Sequence, residues 1–241
     1  MKTLIVIASH MDLGIQELDP PYLEVYRTES LVGYKNEIFK IKDFENYPTL
    51  TWSEYPAFIY PFPLQEEIET FGLMHYRCML NLDQDNIKSP AKYQDRKNIS
   101  ELYAKFIDQY HNTVLISEPL EFGISVSEQL RINCPETHRL FPVVCKEFDR
   151  IMNLENGYSE NIFNTTSKLY SRNIFISPRK FAEKWYDVSL ELIEIMNGFQ
   201  NVNAEDRWGA YILERLFSLY VILEIEKGEY SFETKPLVYF E

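Results

Sequence analysis

The stretch Phe71-Gly72-Leu73-Met74-His75-Tyr76-Arg77 begins with apolar residues and ends with three polar side chains. Its apolar half predicts a strand that is buried on both faces, as in the centre of an α/β sheet. Because ligands of such sheets bind outside the carboxyl ends of the strands, we predict that His75, Tyr76 and Arg77 line a binding site. A second interpretation stays open, in which His75 is an ordinary core histidine and Arg77 a surface charge, since tripeptide motifs often match by chance.

The composition of the whole chain indicates a globular protein with an acidic surface. The 241 residues are 45% hydrophobic, and we predict a single domain over residues 1–241. The formal net charge of -13 repels nucleic-acid backbones and anionic lipid, so we expect no nucleic-acid partner. Any phosphate-bearing ligand must therefore be bound by a local group of basic side chains.

The cysteines and the apolar runs bear on localisation. Cys78, Cys134 and Cys145 are odd in number and lack Cys-x-x-Cys spacing, which argues against a disulfide framework and a structural zinc site and fits a reducing cytosol. The apolar run at residues 4–8 is too short for a signal peptide, and no run approaches the length that spans a bilayer. We predict a cytoplasmic protein, associated at most peripherally with the inner face of the cytoplasmic membrane.

Apolar strand-like runs alternate with helical patterns along the chain. The runs predict strands at residues 3–8, from Phe71, at 113–116 and at 173–176. This alternation predicts an α/β fold with a mostly parallel central sheet flanked by helices. The segment from Asp12 to Asn46 lacks such a pattern, and we predict a loop there with an edge strand at residues 37–42.

Capping signals mark several helix ends. Ser125 and Glu128 form a capping box ahead of an apolar face. Ser177-Pro178 is predicted to open a long helix that Gly198 closes in the left-handed conformation. Gly228 is predicted to close the last long helix.

Three groups of polar residues lie at predicted element ends: Ser9-His10, His75-Tyr76-Arg77, and Arg207 with Glu214-Arg215. If the sheet is doubly wound, the first two groups share one crevice. A fourth group, Asp83-Gln84-Asp85, places two carboxylates at alternate positions, where they can bind Mg²⁺ or Mn²⁺ that bridges a diphosphate. A solvated acidic loop is the competing interpretation of this pair.

Several common catalytic motifs are absent from the sequence. It contains neither the Gly-x-Gly-x-x-Gly pattern nor a Walker motif, which disfavours nicotinamide-dependent enzymes and P-loop kinases. It also lacks a Gly-x-Ser-x-Gly elbow, so an esterase-type triad has no anchor.

The motifs together resemble a bacterial family of domains from capsular-polysaccharide and O-antigen gene clusters, the exopolysaccharide-biosynthesis glycosyltransferases. The most specific parts are His75-Tyr76-Arg77 and the helix with Arg207 and Glu214-Arg215-Leu216. The other matching residues are Ser9-His10; Tyr22 with Val32-Gly33; Leu50-Thr51 to Tyr60; Gly72-Leu73-Met74; Glu128-Gln129 with His138; Asn173-Ile174-Phe175-Ile176 with Phe181 and Trp185; and Gly209.

The resemblance implies a GT-A-like nucleotide-sugar fold and a transferase that moves a sugar from a nucleotide donor to a surface polysaccharide or a lipid-linked glycan. It implies Glu214 as the base that deprotonates the acceptor, with Asp206 as the second candidate. A second interpretation stays open, in which Glu214 forms a structural ion pair with the adjacent Arg215. Either a metal held by Asp83 and Asp85 or cationic side chains alone would stabilise the leaving diphosphate. The implied donor-binding residues are His10, His75, Tyr76, Arg77, Arg207 and Arg215.

The chain also departs from the family pattern. The family usually has a second arginine where this chain has Cys78, and it usually carries an Asn-Ile-Ser stretch that is absent between residues 34 and 50. These differences motivate an alternative function, a non-catalytic carbohydrate-binding or assembly protein. A metal-dependent phosphotransferase or hydrolase built on Asp83 and Asp85 is a third hypothesis.

Overall fold

The computed structural model describes residues 3–9, 22–28, 31–34, 37–39, 55–59, 68–75, 77–83, 89–91, 109–110, 112–199, 202, 204 and 207–240. A ten-stranded sheet runs through this part of the chain, and a second, two-stranded sheet pairs β8 with β9. The strands are β1 Thr3–Ser9, β2 Tyr22–Thr28, β3 Leu31–Tyr34, β4 Glu37–Phe39, β5 Thr70–His75, β6 Cys78–Leu80, β7 Thr113–Ser117, β8 Leu120–Glu121, β9 Lys168–Leu169, β10 Phe175–Pro178, β11 Ser231–Lys235 and β12 Leu237–Tyr239. The prediction of one domain over residues 1–241 stays a prediction.

The large sheet is mixed, so the prediction of a mostly parallel sheet is wrong. Its strand order is β11-β7-β10-β5-β1-β2-β3-β4, with β6 joined to β5 and β12 joined to β6. β1 runs parallel to β2 and β5, and β7 runs parallel to β11. β10 is antiparallel to both of its neighbours, β5 and β7. The apolar run that predicts β10 indicates a strand buried on both faces. It does not indicate whether that strand runs parallel or antiparallel to its neighbours.

The helices of the described chain cover one face of this sheet. They are α1 Tyr55–Ile59, α2 Val126–Asn133, α3 Pro135–Ile151, α4 Tyr158–Thr165, α5 Arg179–Asn197 and α6 Trp208–Lys227. Among the residues that the structure describes, no helix has the length and apolarity needed to span a membrane.

Two of the four predicted helix ends are confirmed. Ser125 Oγ accepts a hydrogen bond of 3.1 Å from the Glu128 N–H at the start of α2, and Gly228 follows α6 with a left-handed φ of 68°. Gly198 instead has a φ of -72° after α5, so its predicted left-handed conformation is wrong. Its N–H bonds to the carbonyls of Glu194 and Ile195, which prolongs the right-handed turn. Ser177 and Pro178 belong to β10, and Pro178 is the N-cap of α5, so the prediction of Ser177 as N-cap with Pro178 as the first helical residue is wrong.

The segment from Asp12 to Asn46 contains more regular structure than predicted. The predicted edge strand is confirmed in part, since β4 is the terminal strand of the sheet. The loop prediction is wrong for β2 and β3, which extend the sheet beyond β1. The alternation of Leu23 and Val25 with Glu24 was the available signal for β2. The remaining residues of this segment lie outside the described part of the chain.

Strand β5 lies at the centre of the sheet between β1 and β10, and its two faces enter different apolar cores. Phe71 and Leu73 pack into the helical layer, where Phe58 and Phe175 stand 5.4 and 6.1 Å from the Phe71 ring. Met74 packs against the opposite core, which β6 and β12 cover. The prediction of a strand buried on both faces is therefore confirmed, and His75 lies where this strand leaves the core.

We predict that Gly72→Ala lowers the free energy of unfolding by about 1–3 kcal/mol, because overpacked cores distort their neighbours. A Cβ at position 72 would lie 3.1 Å from Ile176 Cγ1, 3.2 Å from Ile5 Cγ1 and 3.3 Å from the Phe175 carbonyl oxygen. Urea unfolding of both proteins measures the change, with Ser231→Ala on the edge strand β11 as the control. Equal stability of Gly72→Ala and the unmodified protein would show that the space between the three strands is not tight.

Candidate binding site at the carboxyl edge of the sheet

The carboxyl ends of two parallel central strands lie side by side. In the register of β1 with β5, Ala8 pairs with His75, so Ser9 follows Ala8 at the same edge. His10 and Tyr76 lie outside the described residues. Ser9, the first residue of the Ser9-His10 group, thus lies next to the strand end at His75, as a shared crevice requires.

A tight turn joins β5 to β6 and fixes the position of Arg77. His75 pairs with Cys78 across this turn, and the Arg77 N–H donates a 3.2 Å hydrogen bond to His75 Nδ1. The Arg77 carbonyl accepts a 2.9 Å hydrogen bond from the Phe240 N–H. Because Nδ1 acts as the acceptor, the neutral imidazole carries its proton on Nε2 and presents a donor there. Arg77 is exposed at this edge.

The loop of residues 170–173, called the Arg172 loop below, enters the same edge from the other side. Residues before Phe175 extend towards the carboxyl end of β5, since Phe175 pairs with Leu73 and the two strands are antiparallel. Arg172 and Asn173 both have left-handed backbone conformations, with φ values of 69° and 50°. Residues other than glycine rarely adopt this conformation, so the surrounding structure must hold it.

Four side chains from three elements anchor the Arg172 loop. Glu214 and Ser218, one turn apart on α6, accept hydrogen bonds from the backbone N–H groups of Arg172 and Tyr170 respectively. The remaining two anchors are the Tyr55 hydroxyl, which donates to Asn173 Oδ1 at 2.9 Å, and the Ser117 hydroxyl, which donates to the Ser171 carbonyl at 3.4 Å.

The Arg172 side chain lies against the β6–β12 pair. Its Nη1 atom is 3.1 Å from Cys78 Sγ, and its Cζ atom lies 4.9 Å from the centre of the Tyr239 ring. The pKa of Arg172 is raised: burial by itself would lower it, but nearby Cys78, Tyr239 and Glu214 outweigh burial. The guanidinium is therefore cationic at any physiological pH. We call His75, Arg77, Cys78, Arg172 and Tyr239 the carboxyl-edge cluster.

The predicted base Glu214 lies half-buried on α6, next to this cluster. One of its carboxylate oxygens holds the Arg172 backbone N–H, so the residue has a structural contact in addition to the predicted catalytic role. The second candidate base, Asp206, lies outside the described residues. The role of Glu214 in catalysis stays a prediction.

Arg215 on α6 and Arg207, which precedes this helix, have different surroundings. Arg215 is 4% exposed, and it donates hydrogen bonds to the Tyr211 carbonyl and to Gln129 Oε1 on α2. Burial lowers the pKa of Arg215. These contacts favour a structural role in joining α6 to α2 over the predicted donor contact. Arg207 is exposed and precedes α6 in a left-handed conformation with a φ of 65°.

Asp83, one of the two predicted metal ligands, lies away from the β5–β6 turn. Strand β6 runs back from the β5–β6 turn, and Asp83 follows its far end, where its N–H donates to Asn81 Oδ1 at 3.1 Å. Asp85 lies outside the described residues. Within the described ranges, no group of three or more His, Cys, Asp or Glu side chains is arranged to hold a metal ion. Metal binding by Asp83 and Asp85 stays a prediction.

Arg172 is the cation at this edge that the sequence did not predict. A polar run of residues 170–173 directly before an apolar strand was the available signal. In a parallel sheet, however, residues that precede a strand lie at its amino edge, away from the binding crevice. The antiparallel direction of β10 brings Arg172 to the opposite edge, beside His75 and Arg77.

Comparisons with known proteins give one fold relationship. No protein-family model and no curated protein matches the sequence. Among solved structures, the chain is similar to the apo form of the WbbM bifunctional glycosyltransferase, with a TM-score of 0.70 and 15% sequence identity. The match covers 99% of this chain and 45% of that chain, so this chain spans less than half of that protein's length. The mixed α/β fold is therefore similar to that of a glycosyltransferase, which confirms this part of the fold prediction.

We predict that Glu214→Ala lowers the free energy of unfolding by about 1–3 kcal/mol, because the partly buried Arg172 N–H loses its acceptor. Glu214→Gln retains an acceptor oxygen, so we expect a loss of less than about 1 kcal/mol. Urea unfolding measures both, with Glu226→Ala, an exposed carboxylate on the same helix, as the matched control. If Glu214→Ala is no less stable than the Glu226→Ala control, Glu214 does not hold the Arg172 loop.

Proposed function

We propose that this chain is a glycosyltransferase that binds a nucleotide-sugar donor at the carboxyl edge of its central sheet. The observation that carries the proposal is the position of Arg77, which the β5–β6 turn presents at the edge where α/β folds bind ligands. The fold likeness to a glycosyltransferase over 99% of the chain supports the same reaction class. The chain's net charge of -13 means that an anionic donor needs such local cations.

The proposed chemistry follows from the charges that develop during glycosyl transfer. The bond between the anomeric carbon and the donor phosphate oxygen breaks, and the nucleoside diphosphate leaves with the bonding electrons. The acceptor oxygen forms the new bond to the anomeric carbon as it gives up its proton to a base. The negative charge on the diphosphate grows as its bond to the anomeric carbon breaks. A cationic group beside the diphosphate therefore stabilises the transition state more than the bound donor. Arg77 suits this role because a guanidinium can bind two phosphate oxygens at once, and the proposed His75 Nε2–H adds a further donor. His10, Tyr76 and Arg207 complete the proposed donor site, whereas burial makes Arg215 the least suited of the predicted residues.

The proposed acceptor is the hydroxyl group of a surface glycan, of the capsule or O-antigen type, or of a lipid-linked precursor. This proposal rests on the motif resemblance of His75-Tyr76-Arg77 and Glu214-Arg215-Leu216. Glu214 is the proposed base that removes the hydroxyl proton, and Asp206 is the second candidate. Such a reaction uses cytoplasmic nucleotide sugars, so we propose a cytoplasmic location, with any membrane contact peripheral.

A specific observation favours the alternative of a non-catalytic carbohydrate-binding protein. Glu214 holds the Arg172 backbone, and Arg215 joins α6 to α2, so both predicted polar residues of this part of α6 have structural contacts. A protein that keeps these residues for stability alone would retain the fold without transferring sugar. Binding without turnover is the property that distinguishes this alternative.

We predict that the protein releases a nucleoside diphosphate from at least one sugar nucleotide in a panel assayed with lipid-linked glycan acceptors. Arg77→Ala is expected to weaken donor binding about tenfold or more, since a charge-assisted hydrogen bond contributes about 1.5–3 kcal/mol. Thermal shift of the protein with each donor reports binding, and product assay reports turnover.

The matched control for this experiment is Arg139→Ala, which removes one positive charge from an exposed salt bridge with Glu136 on α3. Donor binding without release of any diphosphate would support the carbohydrate-binding alternative. A full donor response of Arg77→Ala would remove Arg77 from the proposed site.

We also predict that donor binding survives treatment with excess EDTA, because the cations at the carboxyl edge are side chains of the chain itself. The thermal shift that the best donor produces is measured before and after chelation, and again after addition of Mg²⁺ or Mn²⁺. Loss of the shift on chelation and its recovery with metal would instead support a metal held by Asp83 and Asp85. That result would also keep the phosphotransferase hypothesis open.

A further inference from the structure

The guanidinium of Arg172 is a cation beside the proposed donor site. It is half-buried at the carboxyl edge, and within the described part of the chain no Asp or Glu forms a salt bridge with it. The nearby carboxylate of Glu214 binds the backbone N–H of Arg172, and its charge helps to raise the pKa of the guanidinium. A half-buried cation without a carboxylate partner is a suitable receptor for an external anion.

The contacts of this side chain orient it without cancelling its charge. Cys78 Sγ accepts from Nη1 at 3.1 Å, and the ring of Tyr239 lies 4.9 Å from Cζ. A guanidinium has five N–H donors, and among the described residues only the thiol accepts from them. The side chain is thus held in place while most of its donors remain for a ligand, which lowers the entropy lost on binding.

The backbone beneath this side chain is strained, and the fold maintains the strain. Arg172 and Asn173 are consecutive residues with φ values of 69° and 50°. A left-handed conformation costs about 1–2 kcal/mol per residue other than glycine. Glycine at position 172 would avoid this cost. Strain of this kind is concentrated at ligand-binding and catalytic positions.

We propose that Arg172 binds the diphosphate of the nucleotide-sugar donor, together with Arg77. The two arginines approach the same turn: Arg77 lies within it, and the Arg172 guanidinium contacts Cys78, the next residue along the chain. Two guanidinium groups suit a ligand with at least two negative charges and several acceptor oxygens, which favours a diphosphate over a single carboxylate. This inference deepens the proposed function and rests on it for the identity of the donor.

The test compares the binding of phosphorylated and unphosphorylated ligands to the full chain. Isothermal titration calorimetry measures affinity for UDP, GDP, CDP, ADP and dTDP, for the corresponding nucleosides, and for inorganic pyrophosphate. The main variant is Arg172→Gly, which removes the guanidinium and suits a φ of 69°. Arg172→Asn is the second variant, because asparagine also tolerates the left-handed conformation. Arg139→Ala is the control for the loss of one positive charge.

We expect the affinity of the preferred nucleoside diphosphate to fall about tenfold or more in both variants. The affinity of the matching nucleoside should stay within about twofold, because a local diphosphate contact does not involve the base or ribose. The urea midpoint should be unchanged or higher in Arg172→Gly, since relief of strain offsets the added entropy of the unfolded chain. If Arg172→Gly proves unstable, Arg172→Asn provides the comparison.

The other outcomes separate this inference from the proposed function. Diphosphate affinity within twofold of the unmodified protein in both variants would overturn the role of Arg172 and leave the glycosyltransferase proposal standing. An equal loss of nucleoside and diphosphate affinity would overturn it as well, because it would indicate general loosening of the site. Pyrophosphate binding that depends on Arg172, without binding of any nucleotide, would support the anion site and count against a nucleotide-sugar donor. Binding of neither ligand by the unmodified protein would overturn both proposals.

Discussion

The hydrogen bond from the Arg172 backbone N–H to the carboxylate of Glu214 is the contact on which the carboxyl edge depends most. It ties the Arg172 loop to α6, and through β10 it ties α6 to the central strand β5. A second bond one turn further along α6, from the Tyr170 N–H to Ser218, fixes the loop at two points. Two anchors on one helix face can hold Arg172 in a left-handed backbone conformation that arginine rarely adopts. The direction of the Arg172 side chain is therefore a property of the whole sheet and helix assembly.

Strand β5 provides the rigid base for the same edge. It is buried on both faces, with an aromatic core on the helical side and a smaller core under β6 and β12 on the other. Gly72 lets the flanking strands approach closely at its centre. The strand then leaves the core at His75 and turns sharply, so the polar residues that follow are attached to a strand that is buried on both faces. Precise positioning of this kind suits groups that must contact a phosphate.

The acidic character of the chain gives these few cations their significance. With a net charge of -13, the protein attracts an anionic ligand only where basic side chains gather. The motif resemblance leads to an expected arginine at position 78, where this chain has cysteine. The structure places the Arg172 guanidinium 3.1 Å from that thiol, so a cation from a distant part of the chain occupies this neighbourhood. A cysteine at position 78 therefore does not leave this part of the edge without a cation.

The sequence by itself determined the elements whose signals are local. The buried strand from Phe71, the cap at Ser125 and the helix end at Gly228 appear as predicted, because hydrophobic spacing and capping act over a few residues. The sequence also identified His75 and Arg77 as neighbours at a strand end. Only the tertiary structure decided that β10 runs antiparallel, that Arg172 therefore joins these residues, and that Arg215 is buried against Gln129. The physical reason is that an apolar pattern records how deeply a strand is buried, whereas its direction and neighbours depend on pairing with residues far away in the chain.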